Sequence, residues 1–324
     1  MKQKIAILGS GAMGTACANV LGENNHDVII YGINQEELND LATGYNHKYF
    51  ATKLVSKFNT SNDLKKTLEN VNYVIIAIPT KFIPDVFYQV INLVKKQTII
   101  VNLSKGFWPD SNDFIHTRME KLATKNKKIQ GVVSLIGPSF AIDIVNKNIT
   151  IINAVSNNIN LAKKVKKIFS NQWFGVAITN DVIGAEIGST FKNVLAIGSG
   201  LIAGMGYSTN TQTAFLTYGL KEIKNYALYC NANIDTVYDL CGLGDLMLTG
   251  LFEKSRNYMY GKNFFKNKLD DNFVTVEGLY ALKYIYKQIK NNKSIKLPLI
   301  ESLYKIIYNK VEPRKIITKL MKEI

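Results

Sequence analysis

Short apolar runs alternate with polar, helix-forming segments through the first half of the chain. The first run, at residues 4–8, stops at a glycine-rich turn. Further runs follow at residues 28–31, 73–78, 98–103 and 132–136, with 150–155 as a further candidate. Continuous apolar runs of this length between helical segments are typical of strands buried on both faces of a sheet. The pattern predicts an α/β domain with a doubly wound parallel sheet of the Rossmann type.

The second part of the chain has a different pattern. From about Val182 the strand signals stop and a helical period continues to Ile324, interrupted by glycine turns at 204–206 and 242–244. We therefore expect two domains, an α/β domain at residues 1–180 and an all-α domain at residues 181–324.

The turn after the first strand carries a phosphate-binding pattern, Gly9-Ser10-Gly11-Ala12-Met13-Gly14. Between a strand and a helix, this spacing is typical of dinucleotide binding. The first glycine permits a tight turn, the second admits a pyrophosphate to the backbone, and the third lets the helix pack closely. The N-terminus of the helix then faces the phosphates. The sequence predicts NAD or NADP as cofactor, with contacts from Gly9, Ser10, Gly11, Met13 and Gly14.

The segment after the second strand would hold the adenosine ribose. It reads Gly32-Ile33-Asn34-Gln35, with neither an acid nor an arginine. Asn34 could hydrogen-bond the ribose, and Lys48 is close enough in sequence to help with a 2′-phosphate. The choice between NAD and NADP stays open.

Two later turns also belong to the predicted ligand edge of the sheet. Ligands of open α/β sheets bind beyond the carboxyl ends of the strands. The turns Ser104-Lys105-Gly106 and Gly137-Pro138-Ser139 follow two of these strands. Lys105 and Ser139 are therefore candidate site residues, and a solvated loop lysine is the competing interpretation of Lys105.

A row of small residues leads to a lysine at the start of the helical part. Gly184, Gly188 and Lys192 follow one another at intervals of four, on one face of a helix. A helix-interior glycine costs about 1 kcal/mol relative to alanine, so the pair suggests close approach of a backbone or a ligand. Lys192 is set among apolar residues, and poor solvation favours the neutral amine that proton transfer uses. The competing interpretation is a lysine whose stem covers a core helix.

Two polar groups lie further along the helical part. Asp245 follows the glycine turn at 242–244. It could be a helix N-cap or could pair with Lys192 and orient it. The segment Ser255-Arg256-Asn257 contains one of only three arginines. Guanidinium, hydroxyl and amide groups together suit a phosphate oxyanion.

Composition limits the function classes. The net charge of +15 comes from scattered lysines, which attract anionic substrates but indicate no nucleic-acid partner. The three cysteines form neither a metal pair nor a disulfide set, so we expect a cytoplasmic protein without a metal site. The longest apolar run is too short for a membrane span. The three histidines, His26, His47 and His116, are interpreted as exposed and not catalytic.

Taken together, these motifs resemble the NAD(P)-dependent glycerol-3-phosphate dehydrogenase family, over most of the chain. The matching segments are Gly9–Ala16, Asn46–Tyr49, Ser104–Gly106, Gly137–Ala141, Phe191–Val194, the turn ending at Asn210, Gly242–Leu246, Ser255–Asn257 and Thr275–Gly278.

The resemblance implies a reaction and a role for each matching residue. The reaction interconverts dihydroxyacetone phosphate and sn-glycerol 3-phosphate by hydride transfer with NAD(P)H, and it feeds glycerophospholipid synthesis. Lys192 is implied as the proton donor and acceptor at the substrate C2 oxygen, with Asp245 in support. Substrate contacts are implied for Lys105, Gly137, Ser139, Ser255, Arg256 and Asn257. Cofactor contacts are implied for Ser10, Lys105, Ala141, Arg256 and Glu277. A homodimer through the helical domain is expected by analogy alone.

Departures from the family pattern leave alternatives open. Ile33 and Tyr218 stand where the family commonly has arginine, which puts cofactor preference and efficiency in doubt. One alternative is a two-domain hydroxy-acid dehydrogenase of the 6-phosphogluconate or hydroxyisobutyrate type. Enzymes of that type resemble this chain in the spacing from Gly188 to Lys192. Their asparagine, however, comes four residues after the lysine, where this chain has Ala196. A non-catalytic NAD-binding protein is the other alternative.

Overall fold

The computed structural model describes residues 1–266, 276–292 and 294–314. The chain divides into two compact units, residues 1–182 and residues 183–324. None of the helices in the described parts is long and apolar enough to cross a membrane.

The first unit is built on an eight-stranded sheet. Its strands are β1 Lys4–Leu8, β2 Asp27–Tyr31, β3 Asn59–Ser61, β4 Tyr73–Ile76, β5 Thr98–Asn102, β6 Ile129–Ile136, β7 Thr150–Val155 and β8 Phe174–Thr179. Their order is β3-β2-β1-β4-β5-β6-β7-β8. Neighbouring strands from β3 to β6 are parallel, which confirms the predicted doubly wound fold.

The sheet differs from the prediction at its far edge. β7 pairs with β6 in antiparallel fashion, and β8 is parallel to β7, so the sheet is mixed. The connection from β6 to β7 contains only α6, Ala141–Val145. A five-residue helix is about 7.5 Å long, too short to carry the chain back along the sheet for a parallel crossover.

Helices cover both faces of this sheet. Besides α6 they are α1 Ala12–Glu23, α2 Gln35–Thr43, α3 Leu64–Thr67, α4 Ile83–Leu93, α5 Ile115–Ala123 and α7 Ile159–Phe169. Along β1, Ile5 and Ile7 pack into one buried cluster, and Ala6 and Leu8 pack into the other. Burial on both faces explains why the strand reads as a continuous apolar run.

All regular secondary structure in the described part of the second unit is helical. Its helices are α8 Val182–Gly204, α9 Thr209–Tyr229, α10 Ile234–Val237, α11 Asp245–Leu251, α12 Arg256–Lys262, α13 Glu277–Ile289 and α14 Pro298–Asn309. A π-helical turn, Leu240–Gly244, joins α10 to α11. Every residue from 184 to 202 is buried, so α8 is the central helix of the unit.

A buried carboxyl group holds the start of α14. Glu222 of α9 accepts hydrogen bonds from the backbone N–H groups of Leu299, at 2.5 Å, and Ile300, at 3.1 Å. Burial raises the pKa of Glu222 from 4.5 to about 8, although the two hydrogen bonds oppose the shift. The folded protein therefore keeps a proton that the unfolded chain releases.

This raised pKa makes stability depend on pH. The stabilising contribution of Glu222 is complete below about pH 4.5 and is lost as the pH rises to about 8. We expect Glu222→Gln to remove this dependence. Urea denaturation at acidic and at mildly alkaline pH should show the free energies of unfolding of variant and wild type diverging by a few kcal/mol, to order of magnitude. Glu253→Gln, at an exposed glutamate of the same unit, is the control. An equal pH dependence in wild type and Glu222→Gln would contradict the assignment.

Candidate active site

The glycine turn after β1 is shaped by two close backbone contacts. A Cβ added at Gly9 or Gly14 would collide with the backbone oxygen of Ala77 or of Gly9, respectively, and Gly9 has a φ of +123°. A Cβ at Gly11 would meet only the Tyr49 hydroxyl, at 3.9 Å. α1 begins directly after Gly11 without a side-chain cap, and Met13 lies in its first turn. The turn therefore leaves backbone N–H groups and space at Gly11, which fits a dinucleotide pyrophosphate.

A residue between α2 and β3 supports this turn. The side-chain amide of Asn46 donates to the Ser10 backbone oxygen, at 2.9 Å, and to the Thr15 hydroxyl, at 2.8 Å. Asn46 is fully buried. It therefore fixes the glycine turn to the start of α1.

The residues proposed for the ribose lie around a carboxylate that the sequence reasoning missed. Asn34 caps α2 by accepting a hydrogen bond from the Glu37 backbone N–H, at 3.1 Å. Lys48 pairs with the Glu37 carboxylate, at 2.6 Å, and Ser10 donates to its other oxygen, at 2.5 Å. The spacing Asn34-x-x-Glu37 is that of a capping box and could have pointed to Glu37.

The turns after β4 and β5 are joined by hydrogen bonds. The Ser104 hydroxyl donates to the Ile78 backbone oxygen, at 2.9 Å, and the Thr80 hydroxyl donates to the Lys105 backbone oxygen, at 3.3 Å. These bonds fix the backbone that carries Lys105, which is half-buried.

The turn after β6 is also closely packed. Gly137 has a φ of +156°, and a Cβ there would lie 2.9 Å from the Ile152 backbone. Ser139 is half-buried and donates to the Gly137 backbone oxygen, at 3.1 Å. Ala141 is the first residue of α6.

The interpretation of His116 as an exposed residue is wrong. His116 is fully buried because α5 packs on β6, and its Nδ1 lies 2.8 Å from the Ser134 hydroxyl. Asn102 donates to that hydroxyl, at 3.0 Å, and accepts from the Ser104 backbone N–H, at 3.0 Å. This buried network ends directly before Lys105. His47 is exposed and His26 is half-buried.

The second unit buries a charged pair. Lys192 Nζ of α8 lies 2.5 Å from Asp245 Oδ1 and donates to the Thr249 hydroxyl, at 3.0 Å. Lys192 is 5% exposed and Asp245 is 1% exposed. Asp245 is the first residue of α11, whose N-cap is Gly244. The carboxylate therefore serves the lysine and is not the helix cap.

Glycine at position 188 permits this pairing. A Cβ added there would lie 2.7 Å from the Cys241 oxygen and 2.9 Å from the Gly242 Cα. The backbone of the π-helical turn therefore lies directly against α8, one helical turn before Lys192. Asp245 begins α11 at the end of that turn, which brings its carboxylate to the amine.

The segment Ser255-Arg256-Asn257, at the start of α12, is attached to α8 through one other helix, α13. Ser255 is buried and caps α12, and Arg256 is the exposed first residue of that helix. Asn257 accepts a hydrogen bond from the Gly278 backbone N–H, at 2.9 Å. A Cβ at Gly278 would lie 2.5 Å from the Asn193 oxygen.

Glu277 completes this contact with α8. Its carboxylate accepts a hydrogen bond from the Asn193 side chain, at 3.3 Å, beside Lys192. Thr275, which belongs to the same sequence motif, lies outside the described residues.

The fold and these side chains define a class of protein. A doubly wound sheet with an open glycine turn, followed by a helical unit with a buried lysine, is the plan of two-domain NAD(P)-dependent dehydrogenases. Residues 4–162 match the N-terminal model of NAD-dependent glycerol-3-phosphate dehydrogenase, and residues 181–318 match the C-terminal model. The chain belongs to the NAD-dependent glycerol-3-phosphate dehydrogenase family.

Individual relatives agree with this assignment. A glycerol-3-phosphate dehydrogenase [NAD(P)+] of Mycoplasma mobile is 43% identical, over 95% of this chain and 93% of the relative. The crystal structure of glycerol-3-phosphate dehydrogenase from Coxiella burnetii is 26% identical, with a TM-score of 0.87 over 99% of both chains. A 3-hydroxyisobutyrate dehydrogenase of Mycobacterium tuberculosis has a TM-score of 0.54 at 11% identity, over 99% of both chains, so it shares the fold alone.

Breaking the buried pair should lower the free energy of unfolding by more than the lost packing of either side chain alone. Removing one partner leaves the other charge buried without compensation, so Lys192→Met and Asp245→Leu should each lower the free energy of unfolding by about 3–5 kcal/mol. The double variant should lose less than the sum of the two, as measured in a urea-denaturation cycle. Lys262→Met, which breaks an exposed pair with Glu253, should change little. Additive losses at Lys192 and Asp245 would contradict an interacting pair.

Proposed function

We propose that this chain interconverts dihydroxyacetone phosphate and sn-glycerol 3-phosphate with NAD or NADP as cofactor. The observation that carries the proposal is the buried Lys192–Asp245 pair, in a chain of the glycerol-3-phosphate dehydrogenase family. When bound, the nicotinamide supplies or accepts the hydride at the substrate C2. The protein then has to manage one proton and the charge on the C2 oxygen.

Lys192 moves that proton. In the reducing direction, its ammonium group donates a proton to the oxygen that develops negative charge at C2; in the oxidising direction, the amine takes the proton back. Asp245 and Thr249 both bind the Nζ atom and so limit its rotation. Burial excludes water, which strengthens the interaction of the ammonium group with a developing alkoxide.

The other residues bind and orient the ligands. Lys105 supplies a second cation for the substrate, while Gly137 and Ser139 line its site. Ser255, Arg256 and Asn257 hold the phosphate end. Support comes from the polar character of this segment and from its attachment to α8 through Gly278. The cofactor contacts are Gly9, Ser10, Gly11, Met13, Gly14, Asn34, Lys48, Lys105, Ala141, Arg256 and Glu277.

The cellular role follows from the product. sn-Glycerol 3-phosphate is the backbone of glycerophospholipids, so the reaction feeds their synthesis. The proposal includes a cytoplasmic location, since Cys17, Cys230 and Cys241 form no disulfide and unpaired cysteine sets are typical of reducing compartments. A homodimer through the helical unit is part of the proposal by analogy.

Replacing the lysine tests this function. Lys192→Met should lower kcat for dihydroxyacetone phosphate reduction by about 10²–10⁴-fold, because general acid catalysis contributes that much. The Kd for NADH, followed by fluorescence, should be unchanged. Lys221→Met, at an exposed lysine of α9, should retain wild-type activity. Undiminished turnover by a folded Lys192→Met enzyme would refute the role of Lys192. Faster wild-type turnover of a non-phosphorylated hydroxy acid would refute the substrate.

A further inference from the structure

A buried carboxylate lies beside the glycine turn, where the sequence shows no acid at the end of β2. Glu37 is in the first turn of α2 and is 8% exposed. Its Oε2 accepts a hydrogen bond from the Ser10 hydroxyl, at 2.5 Å. Its Oε1 accepts from Lys48 Nζ, at 2.6 Å, and from the Tyr49 hydroxyl, at 3.3 Å. The carboxylate of Glu37 is therefore in direct contact with the glycine turn.

This carboxylate is charged at neutral pH. Burial alone would raise its pKa, but the hydrogen bonds from Lys48 and Ser10 outweigh burial and hold the pKa of Glu37 below its ordinary value. Its position in the first turn of a helix also favours negative charge. Because a carboxylate has about four acceptor positions, the three observed donors leave room for one more.

The packing around Ser10 places the carboxylate at the end of β2. A Cβ added at Gly32, directly after β2, would lie 2.7 Å from Ser10 Oγ. Ser10 therefore contacts both Gly32 and Glu37, which brings the carboxylate close to the end of β2. In doubly wound folds the adenosine ribose binds at this place, and an acid there accepts a hydrogen bond from its 2′-hydroxyl.

Lys48 does not provide a ready site for a 2′-phosphate. Its side chain is 57% exposed, but its ammonium group is paired with Glu37. A 2′-phosphate could recruit Lys48 only by removing the partner of a buried carboxylate, and it would meet the negative charge of Glu37 itself. Both effects disfavour the additional phosphate of NADPH.

We propose that Glu37 determines the cofactor preference of this enzyme, selecting NADH over NADPH through the 2′-position of the adenosine ribose. The proposal rests on the function above only in requiring that a nicotinamide dinucleotide binds at the glycine turn. Glu37 accepts the ribose hydroxyl and repels the phosphate, while Lys48 and Ser10 keep the carboxylate in place.

Fluorescence titration of the full-length protein with NADH and with NADPH, without substrate, tests the proposal. Wild type should bind NADH more tightly. Glu37→Gln keeps the shape but removes the charge, and it should lower the ratio of Kd for NADPH to Kd for NADH by about tenfold. Glu36→Gln removes an exposed charge from the same helical turn and should leave the ratio unchanged. Circular dichroism checks that each variant is folded.

A second variant keeps the test decisive if Glu37→Gln does not fold. Lys48→Met leaves the carboxylate of Glu37 without its cation, so its negative charge repels a 2′-phosphate more strongly. The ratio of Kd for NADPH to Kd for NADH should therefore increase. A wild type that prefers NADPH, or a ratio that neither substitution moves, would overturn the proposal. Selective NADH binding without turnover of dihydroxyacetone phosphate would refute the proposed function and leave the role of Glu37 standing. Turnover of dihydroxyacetone phosphate, together with a Kd ratio that neither variant changes, would refute the role of Glu37 and leave the proposed function standing.

Discussion

The close approach of two backbones at Gly188 and Gly242 is the constraint on which the second unit depends. A buried ammonium group is tolerated only with a nearby partner, and the partner of Lys192 comes from a different helix. Asp245 reaches it because the turn before α11 lies against α8 without an intervening Cβ. Glycine at position 188 lowers the intrinsic stability of α8. This loss is offset because the close backbone contact brings Asp245 to Lys192.

Other glycines extend the same arrangement along α8. A Cβ at Gly200 would collide with the Tyr258 oxygen, and a Cβ at Gly261 would collide with the Ile197 oxygen, so α8 and α12 touch through their backbones. Such contacts leave little freedom for the helices to slide. As a result, the residues proposed to handle the proton and those proposed to hold the phosphate are carried by one tightly packed set of helices.

In the first unit, hydrogen bonds add to the glycine contacts that shape the turns after the strands. Asn46 fixes the glycine turn to α1, and Glu37 joins that turn to Lys48 and Tyr49. The buried network of His116, Ser134 and Asn102 reaches the backbone before Lys105. These two turns, which are proposed to contact the ligands, are thus attached to the elements behind them, and such attachment favours precise positioning of a substrate.

The doubly wound sheet and the helical second unit could be predicted, because buried strands and helices have distinct apolar periods. β3 could not, since Asn59-Thr60-Ser61 has no apolar residue. The reversal of β7 depends on the length of α6, which the periodicity does not specify. Glu37 was missed because its carboxylate arrives from a helix and not from the end of β2. The burial of His116 depends on how α5 packs on β6, which a single histidine in a sequence does not reveal.

The catalytic rate of Gly188→Ala tests most directly whether this backbone contact sets up the chemistry. Ser189→Ala changes the next residue of the same helix to the same side chain without adding an atom near Cys241. We expect kcat for dihydroxyacetone phosphate reduction to fall by about 100-fold in Gly188→Ala, because a displacement of about 1 Å at a reacting group has an effect of this size. The Kd for NADH should be the same in both variants. A folded Gly188→Ala enzyme with the kcat of Ser189→Ala would show that the contact at Gly188 does not position Lys192 for the reaction.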